Sequence, residues 1–181
     1  MPEEAPFTIR EGVAADAPAL ARTHVDAWEA AYRGQITDEA IEAMTVDRRE
    51  EMWGQHLAEP SHGTLVVQGA DRVVGFAMFG PAEDGSLATD TGEIYGIYLL
   101  PEAIGRGVGR DLFARATDRL RAAGFASAIL WVLETNTRAR RFYEVAGWRW
   151  DGARNEYNFD CAERPVVRYA FRLSTAYVPP G

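Results

Sequence analysis

Three alternating glycines, Gly105, Gly107 and Gly109, lie between an apolar segment that ends near Leu100 and an amphipathic segment that begins near Val108. Glycine loses more backbone entropy on folding than other residues, so this run indicates a need for unusual dihedral angles or bare amides. The first N–H groups of a helix have no acceptor within it, and the helix dipole adds partial positive charge there. Since no Cβ atom covers these amides, the loop predicts a binding site for a phosphate or pyrophosphate.

Two arginines beside the glycines, Arg106 and Arg110, would add positive charge to such a site, although a surface arginine needs no functional reason. A Walker A loop requires Lys and then Ser or Thr after its last glycine, whereas Arg110 and Asp111 follow Gly109 here. The dinucleotide fingerprint G-x-G-x-x-G also fails, because Arg110 or Leu112 occupies its third glycine position. Neither common nucleotide motif explains the loop.

Length, charge and cysteine content narrow the class of protein. The chain has 181 residues, 47% hydrophobic and 25% charged, which is typical of one globular domain with a substantial core. The net charge of -8 disfavours a nucleic-acid partner, because a phosphate backbone attracts clustered cations. The single cysteine, Cys161, excludes an intramolecular disulfide and a cysteine-rich metal site. His24, His56 and His62 show no metal-ligand spacing, so we expect no metal and assign the histidines no role.

Membrane and targeting signals are absent from the sequence. No apolar run approaches the ~20 residues that span a bilayer. The acidic N-terminus lacks the basic and apolar regions of a signal peptide. We therefore expect a cytoplasmic protein with no membrane partner. Residues 1–176 are expected to form one domain, and residues 177–181 a mobile C-terminal tail.

Hydrophobic periodicity and turn residues predict the element order β–α–α–β–β–β–α–β–α–β–β. Asp16 is predicted to cap the first helix and Gly34 to end it. Segment 80–91, rich in glycine and acidic residues, is predicted to be a loop. This order indicates an α/β fold, a mixed sheet with helices on both sides. The predicted helices are 14–32, one or two within 37–57, 108–124 and 136–147, and the predicted strands are 7–11, a hairpin within 63–80, 92–100, 125–133, 148–154 and 166–173.

Several of these segments, taken in order, resemble the GNAT superfamily of N-acetyltransferases. The family hallmark Gln/Arg-x-x-Gly-x-Gly/Ala follows the fourth strand, and IGRGVG (104–109) matches it except at Ile104. Segment 92–113 looks like the family's strand–loop–helix cofactor motif, and 130–150 looks like its next strand, Asn-bearing turn and Tyr-bearing helix. The resemblance covers 7–173. It implies a GNAT-like fold, a central and mostly antiparallel sheet of about seven strands with helices on both faces, and acetyl-CoA as co-substrate.

The resemblance also implies which residues bind the cofactor. The loop residues, with Val108 and Arg110 among them, would hold the diphosphate mainly through backbone amides, so Ile104 implies a lost side-chain contact only. Backbone groups of Tyr98 and Leu99 would pair with the pantetheine arm as an added strand does, which requires the fourth and fifth strands to separate. Asn136 would hold the cofactor arm. Strand core for Tyr98 and Leu99, and a helix N-cap for Asn136, are the alternatives. The loop residues are Ile104, Gly105, Arg106, Gly107, Val108, Gly109 and Arg110.

Two residues carry the implied chemistry. Tyr143 corresponds to the family tyrosine that protonates the departing thiolate, and a phenol and a thiol have pKa values close enough for exchange. Core packing is its alternative, since it lies at helical spacing with Ala139 and Phe142. Glu93 begins an otherwise apolar strand and would take a proton from an acceptor amine, directly or through water. A plain exposed strand start is the alternative for Glu93.

The predicted function is transfer of an acetyl group from acetyl-CoA to a primary amine by direct attack in a ternary complex, with an amide near Leu99 polarising the thioester carbonyl. A covalent route through Cys161 is disfavoured, because no histidine pattern lies near it. The alternatives are a non-catalytic acyl-CoA sensor and a protein N-terminal or lysine acetyltransferase. The partner is a small-molecule amine or a peptide, with a homodimer left open. The carboxylates of Glu83, Asp84 and Asp90 are expected to belong to a solvated hairpin, or else to attract a cationic amine to the acceptor site. The aromatic residues Trp28, Tyr32 and Trp53 are expected to pack the helices, and lining of the acceptor pocket is the alternative.

Overall fold

The computed structural model describes residues 7–158 and 163–173. Within these ranges the chain forms seven strands and five α-helices, and none of these helices is both long and apolar enough to cross a membrane. Cys161 and the tail expected at 177–181 lie outside the described residues. The strands are β1 (Thr8–Glu11), β2 (Gly63–Gln68), β3 (Val73–Pro81), β4 (Thr91–Leu99), β5 (Ser127–Leu133), β6 (Arg149–Asn158) and β7 (Glu163–Arg172). The helices are α1 (Ala17–Tyr32), α2 (Asp38–Glu42), α3 (Val46–Ala58), α4 (Val108–Ala122) and α5 (Thr137–Val145).

All seven strands form one sheet in the order β1-β2-β3-β4-β5-β7-β6. β4 and β5 are parallel, and every other neighbouring pair is antiparallel. The parallel pair is connected through α4, as a parallel connection requires a crossover. The prediction of a mixed, mostly antiparallel sheet of seven strands is confirmed.

Helices cover both faces of this sheet because successive strand residues point to opposite sides. On β2, Leu65 and Val67 join the cluster that contains Leu112 of α4, whereas Val66 joins the cluster that contains Trp53 of α3. Both clusters consist of fully buried aliphatic and aromatic side chains, so the sheet is held between two apolar layers. The predicted placement of helices on both faces is confirmed.

The parallel pair β4–β5 separates part of the way along its length. The two strands pair only where Thr91–Glu93 meets Ser127–Ile129, although β4 continues to Leu99 and β5 to Leu133. The carboxyl-terminal halves of both strands therefore face each other without ladder hydrogen bonds. This is the separation that an inserted pantetheine arm requires.

Gly34 follows the C-cap residue Arg33 of α1 with a left-handed φ of 81°, so the prediction that it ends this helix is confirmed. Two other local predictions need correction. Asp16 precedes α1, but its carboxylate makes no bond to that helix. It accepts from Val13 N at 2.9 Å, which caps the preceding 3-10 turn, and from Arg10 at 2.7 and 2.8 Å. β6 and β7 are longer than predicted, because their outer halves are exposed and lack an apolar alternation.

Candidate active site

The glycine loop needs glycine for its dihedral angles. Gly105 and Gly107 have φ of 83° and 86°, in the left-handed region that side chains disfavour, and a Cβ on either would meet nothing within 4 Å. Gly107 directly precedes α4, and its carbonyl accepts from Arg110 N at 3.0 Å and Asp111 N at 3.3 Å. The open space above both glycines is therefore available to a ligand.

Gly109 serves a different purpose from the other two glycines. A Cβ on Gly109 would lie 2.9 Å from Leu99 Cδ1, so glycine lets the start of α4 approach the end of β4. The amides of Val108 and Gly109 belong to the first helical turn and have no acceptor inside the helix. Val108 itself is buried, so only its amide is available to an anion.

The side chains around the loop differ in their position. Arg110 and Ile104 line the cleft described next, whereas Arg106 does not. Ile104 is 37% exposed, which is unusual for a large apolar residue and consistent with a contact that a ligand would cover. Of the two predicted arginines, Arg110 is the one at the cleft.

One cleft of about 1680 Å³ runs from the glycine loop through the gap between β4 and β5. Pockets for one small ligand are commonly ~300–1,000 Å³, so this cleft has room for two substrates. Among the residues predicted from sequence, it is lined by Glu93, Tyr98, Leu99, Ile104, Gly105, Gly107, Gly109, Arg110, Asn136 and Tyr143. The structure thus brings most of the predicted site residues to one cleft.

Tyr143 projects from α5 into the core and is 8% exposed. Its ring packs against Phe113 and Phe142, with centroids 5.3 and 5.5 Å away. Burial raises the pKa of Tyr143 well above its ordinary value, so the phenol stays protonated. The hydroxyl hydrogen-bonds to no described residue, and the side chain lines the cleft. Tyr143 therefore both packs in the core and lines the cleft.

Asn136 has the N-cap position that its sequence context predicted. Its Oδ1 accepts from Ala139 N at 3.1 Å, at the first turn of α5. The side-chain amide donates to no described residue, and Asn136 lines the cleft just after β5 ends. One half of the side chain caps a helix, and the N–H half is free to hold a ligand.

Glu93 is the last residue of β4 that pairs with β5, so it lies where the two strands begin to separate. It is 9% exposed and its Oε2 accepts from Glu83 N at 3.2 Å. Burial raises the pKa of Glu93 to about 7 against the lowering effect of the Glu83 N–H, and the carboxylates of Glu83 and Asp84 raise it further, while Arg168 lowers it. A carboxylate with this pKa exchanges protons near neutral pH. Glu93 is therefore not a plain exposed strand start.

The acidic loop between β3 and β4 contributes two of its three predicted residues to the cleft. Glu83 and Asp84 line it, and Asp84 lies 3.7 Å from Arg168. Asp90 does not line it; its carbonyl accepts from Ala126 N at 2.8 Å and thereby joins the loop to the start of β5. Two carboxylates and Glu93 make this end of the cleft acidic.

We call this acidic end of the cleft, lined by Glu83, Asp84 and Glu93, the acceptor end. Trp28 and Tyr32 of α1 form an aromatic wall of the same cleft beside Tyr98, with ring centroids 6.4 and 6.5 Å from the Tyr98 ring, whereas Trp53 is fully buried. The hydroxyls of Tyr98 and Tyr32 hydrogen-bond to each other, so the Tyr98 side chain belongs to this wall as well. Tyr98 thus combines its strand position with a side-chain role that the sequence did not indicate.

The sequence assigned no role to the histidines, yet all three line the cleft. His24 packs between Phe76 and Tyr98, and its pKa is lowered to about 3 by burial and by Arg49, so it is neutral. Its position four residues before Trp28 on α1 was the available signal, since both side chains share one helix face. Among the described residues, no group of three His, Cys, Asp or Glu side chains could hold a metal ion.

Comparison with known proteins gives consistent relatives. The profile of the Acetyltransferase (GNAT) family matches residues 24–148. The uncharacterized N-acetyltransferase YuaI of Bacillus subtilis is 35% identical over 130 residues, which are 71% of this chain and 73% of YuaI. The mycothiol acetyltransferase of Beutenbergia cavernae is 38% identical over 106 residues, 59% of this chain and 34% of that protein. This chain therefore spans about a third of the mycothiol enzyme.

Solved structures show the same fold. The PaiA N-acetyltransferase of Thermoplasma acidophilum, in complex with coenzyme A, has a TM-score of 0.71 at 17% identity, covering 92% of this chain and 99% of that one. The ribosomal-protein-S18-alanine N-acetyltransferase of Escherichia coli has a TM-score of 0.69 at 19% identity, covering 97% and 99%. At these identities the likeness concerns the fold alone.

Proposed function

The chain belongs to the acetyltransferase (GNAT) family, and from this premise we propose that it transfers an acetyl group from acetyl-CoA to a primary amine by direct attack in one ternary complex. The observation that carries the proposal is the cleft between β4 and β5, which Glu93 and Tyr143 line together with the glycine loop. A pure cofactor sensor has no need of a near-neutral carboxylate or of an unpartnered phenol in the same cleft.

The residues present fit coenzyme A. The open space over Gly105 and Gly107, the first-turn amides of Val108 and Gly109, and the Arg110 side chain provide the donors and positive charge that a diphosphate needs. The unpaired stretch of β4 up to Leu99 offers backbone groups to the amide-bearing arm, and the Asn136 amide faces the same cleft. When bound, acetyl-CoA supplies an acetyl group activated as a thioester.

Glu93 takes the proton of the acceptor amine. An alkylammonium with a pKa near ~10 is mostly protonated at neutral pH and cannot attack a carbonyl carbon. The Glu93 carboxylate, with a pKa of about 7, accepts that proton directly or through one water. The amine nitrogen then forms a bond to the acetyl carbon as the carbon–sulfur bond breaks. A backbone N–H near Leu99 stabilises the charge that develops on the carbonyl oxygen.

Tyr143 donates a proton to the departing sulfur. Burial raises the pKa of the phenol, and the same apolar surroundings raise the pKa of a thiol, so the two groups stay matched despite desolvation. The alkylammonium loses two protons on becoming an amide: the first goes to Glu93 before the attack, and the second leaves the nitrogen after it has bonded to carbon and replaces the proton that Tyr143 gives to the sulfur. The net reaction forms one amide and one thiol, breaks one thioester and releases one proton, which passes from Glu93 to solvent.

The acceptor is proposed to be a cationic amine, either a small molecule or a peptide terminus or lysine. Glu83 and Asp84 attract a cation to the acceptor end, and the rings of Trp28 and Tyr32 favour an alkylammonium at their faces. Among the relatives, one name specifies mycothiol and one solved structure a ribosomal protein, so both kinds of acceptor require testing. A cytoplasmic location and a homodimer are further expectations, and light scattering tests the second.

The decisive experiment measures thiol release from acetyl-CoA with a panel of amine metabolites and peptides, and identifies the acetylated product by mass spectrometry. We expect coenzyme A binding by calorimetry and amine-dependent thiol release. Tight coenzyme A binding with no release for any amine would support the sensor instead, and no coenzyme A binding would remove the proposal.

A further inference from the structure

Two side chains of β4 hold the beginning of the acidic loop. Tyr95 Oη donates to the Pro81 carbonyl at 2.5 Å, and Glu93 Oε2 accepts from Glu83 N at 3.2 Å. Pro81 ends β3, and Glu83 lies two residues further along the loop. The segment 81–83 is therefore fixed at one end by a phenol and attached at the other end to the carboxylate of the proposed base.

The backbone is shaped to place Tyr95 there. β4 pairs Gly96 with Met78 and Ile94 with Phe79, so Tyr95 is the extra residue of a β-bulge, a feature that often re-aims a side chain near an active site. The neighbouring strand provides room, because a Cβ on Gly80 would lie 2.6 Å from Tyr95 Oη and 2.8 Å from His62 Cδ2. Both the bulge and Gly80 thus permit the Tyr95–Pro81 hydrogen bond.

We propose that Tyr95 is a positioning residue of this enzyme: its hydroxyl fixes the Pro81 carbonyl and thereby keeps the Glu83 N–H on the Glu93 carboxylate. This inference rests on the proposed role of Glu93 as the base. Tyr95 acts through the loop backbone, and its hydroxyl has no part in the proposed proton transfers.

The hydrogen bond that Tyr95 maintains affects the pKa of the proposed base, Glu93. The Glu83 N–H favours the charged form of Glu93 and lowers its pKa, so release of that N–H raises the pKa above about 7. The other charged groups facing Glu93 are Glu83 and Asp84 on the loop and Arg168 on β7.

Among the described residues, the carboxylates of Glu83, Glu93 and Glu59 act on Tyr95 electrostatically, and the rings of His56 and His62 pack against it. Tyr95 itself stays neutral through the range of interest, because burial and the nearby carboxylates raise its pKa. Removal of the Tyr95 hydroxyl can shift the acidic side (acid limb) of the pH profile of kcat/KM. Such a shift would therefore report a change around Glu93 and not ionisation of Tyr95.

The test is the pH dependence of kcat/KM for Tyr95→Phe, measured with an acetyl acceptor identified by the panel of amines and peptides. An increase of one unit in the pKa of Glu93 cuts the deprotonated fraction at pH 7 about five-fold and leaves it nearly unchanged at pH 9. We expect the acid limb to move upward by about half a unit to one unit, with a plateau within about two-fold of the parent enzyme. Gly80→Ala, whose Cβ displaces the Tyr95 hydroxyl, should move the limb in the same direction.

Tyr169→Phe is the matched control. Its hydroxyl donates to Glu144 Oε1 at 2.6 Å and does not line the cleft, so its loss should lower stability without moving the acid limb. An unmoved limb in both Tyr95→Phe and Gly80→Ala, with thermal unfolding showing folded protein, overturns the inference.

Glu93→Gln separates this inference from the proposed function. If Glu93→Gln keeps the parent acid limb, Glu93 is not the base and the proposed mechanism fails. If Glu93→Gln removes that limb while Tyr95→Phe and Gly80→Ala leave it in place, only the positioning role of Tyr95 fails.

Discussion

Tyr143→Phe tests the proposed general acid, because it removes one oxygen and little else. The Tyr143 hydroxyl hydrogen-bonds to no described residue, while the ring packs against Phe113 and Phe142 and would be retained. Deleting a hydrogen-bonded hydroxyl costs about 1 kcal/mol, but deleting one without a partner costs little or stabilises the fold. We therefore expect the melting temperature of Tyr143→Phe to equal or exceed that of the parent.

The expected loss of activity is large by comparison. A positioned general acid contributes roughly 10²–10⁴-fold to the rate. A phenol is a weaker acid than a thiol even when both are desolvated, so we expect a fall in kcat of about 100-fold, near the lower end of that range. Affinity for coenzyme A should change little, since the loop amides and Asn136 provide the proposed polar contacts. The combination of an unchanged fold, unchanged cofactor binding and lost turnover is the signature of a chemical role.

The assay compares thiol release, calorimetric coenzyme A affinity and thermal unfolding for Tyr143→Phe and Tyr169→Phe. The Tyr169→Phe substitution removes hydrogen bonds to Glu144 at 2.6 Å and to Arg140 at 3.2 Å. The variant protein should therefore lose about 1–2 kcal/mol of stability and keep the parent kcat. A Tyr143→Phe enzyme that turns over at the parent rate would remove Tyr143 from the mechanism and leave the cofactor assignment intact.

Three further predictions concern the cleft. Gly107→Ala places a side chain on a residue with φ of 86°, so we expect about 1 kcal/mol of lost stability by thermal unfolding and weaker coenzyme A binding by calorimetry. Unaltered affinity would contradict diphosphate binding by the amides of the glycine loop. Asn136→Asp keeps an oxygen at the helix cap but loses the amide donor, so the melting temperature should hold while coenzyme A affinity falls; Asn136→Ala should lose both, with about 1 kcal/mol of cap energy. Because folding raises the pKa of Glu93 from 4.5 to about 7, the stability it contributes is present below pH 4.5 and is lost as the pH rises through 7. Glu93→Gln should therefore gain stability relative to the parent between pH 5 and pH 8, by at most about 3 kcal/mol, and parallel denaturation curves across that range would contradict the raised pKa.

The glycine loop could be predicted from sequence because its cause is local. Left-handed dihedrals at Gly105 and Gly107 and a close approach at Gly109 each require glycine, and these three positions lie within one five-residue segment. Strands β1 to β5 could be predicted for the same reason, since apolar runs bounded by turn residues are local, whereas the exposed outer halves of β6 and β7 were missed. The separation of β4 from β5 is a long-range property of pairing, and only the family resemblance indicated it.

The wrong or missing predictions concern residues whose contacts a local sequence rule does not include. Asp16 satisfies the local rule for an N-cap, but Arg10 on β1 offers a two-bond ion pair that fixes its carboxylate elsewhere. The histidines have no metal-ligand spacing, and His24, His56 and His62 reach the cleft through tertiary packing of α1, α3 and the segment before β2. The histidine positions were missed because the contacts of these residues are distant in sequence, whereas Asp16 was misassigned because Arg10, only six residues away, competes for its carboxylate.

The length of β4 decides which kind of phosphate ligand the cleft can use. Leu99, which packs at the start of α4, is six positions after Glu93 on β4, so at ~3.3 Å per residue the proposed base lies roughly 20 Å along the strand from the glycine loop. A compact phosphoryl donor held at the loop would place its reactive phosphate far from Glu93. A ligand that is anchored by a diphosphate and reacts at Glu93 must carry its reactive group at the end of a long arm, and the unpaired stretch of β4 supplies backbone groups along that path. One strand, β4, therefore leads from the proposed diphosphate site, along the proposed path of the arm, to the proposed base. A thioester on an extended carrier fits this geometry, and a nucleotide phosphoryl group does not.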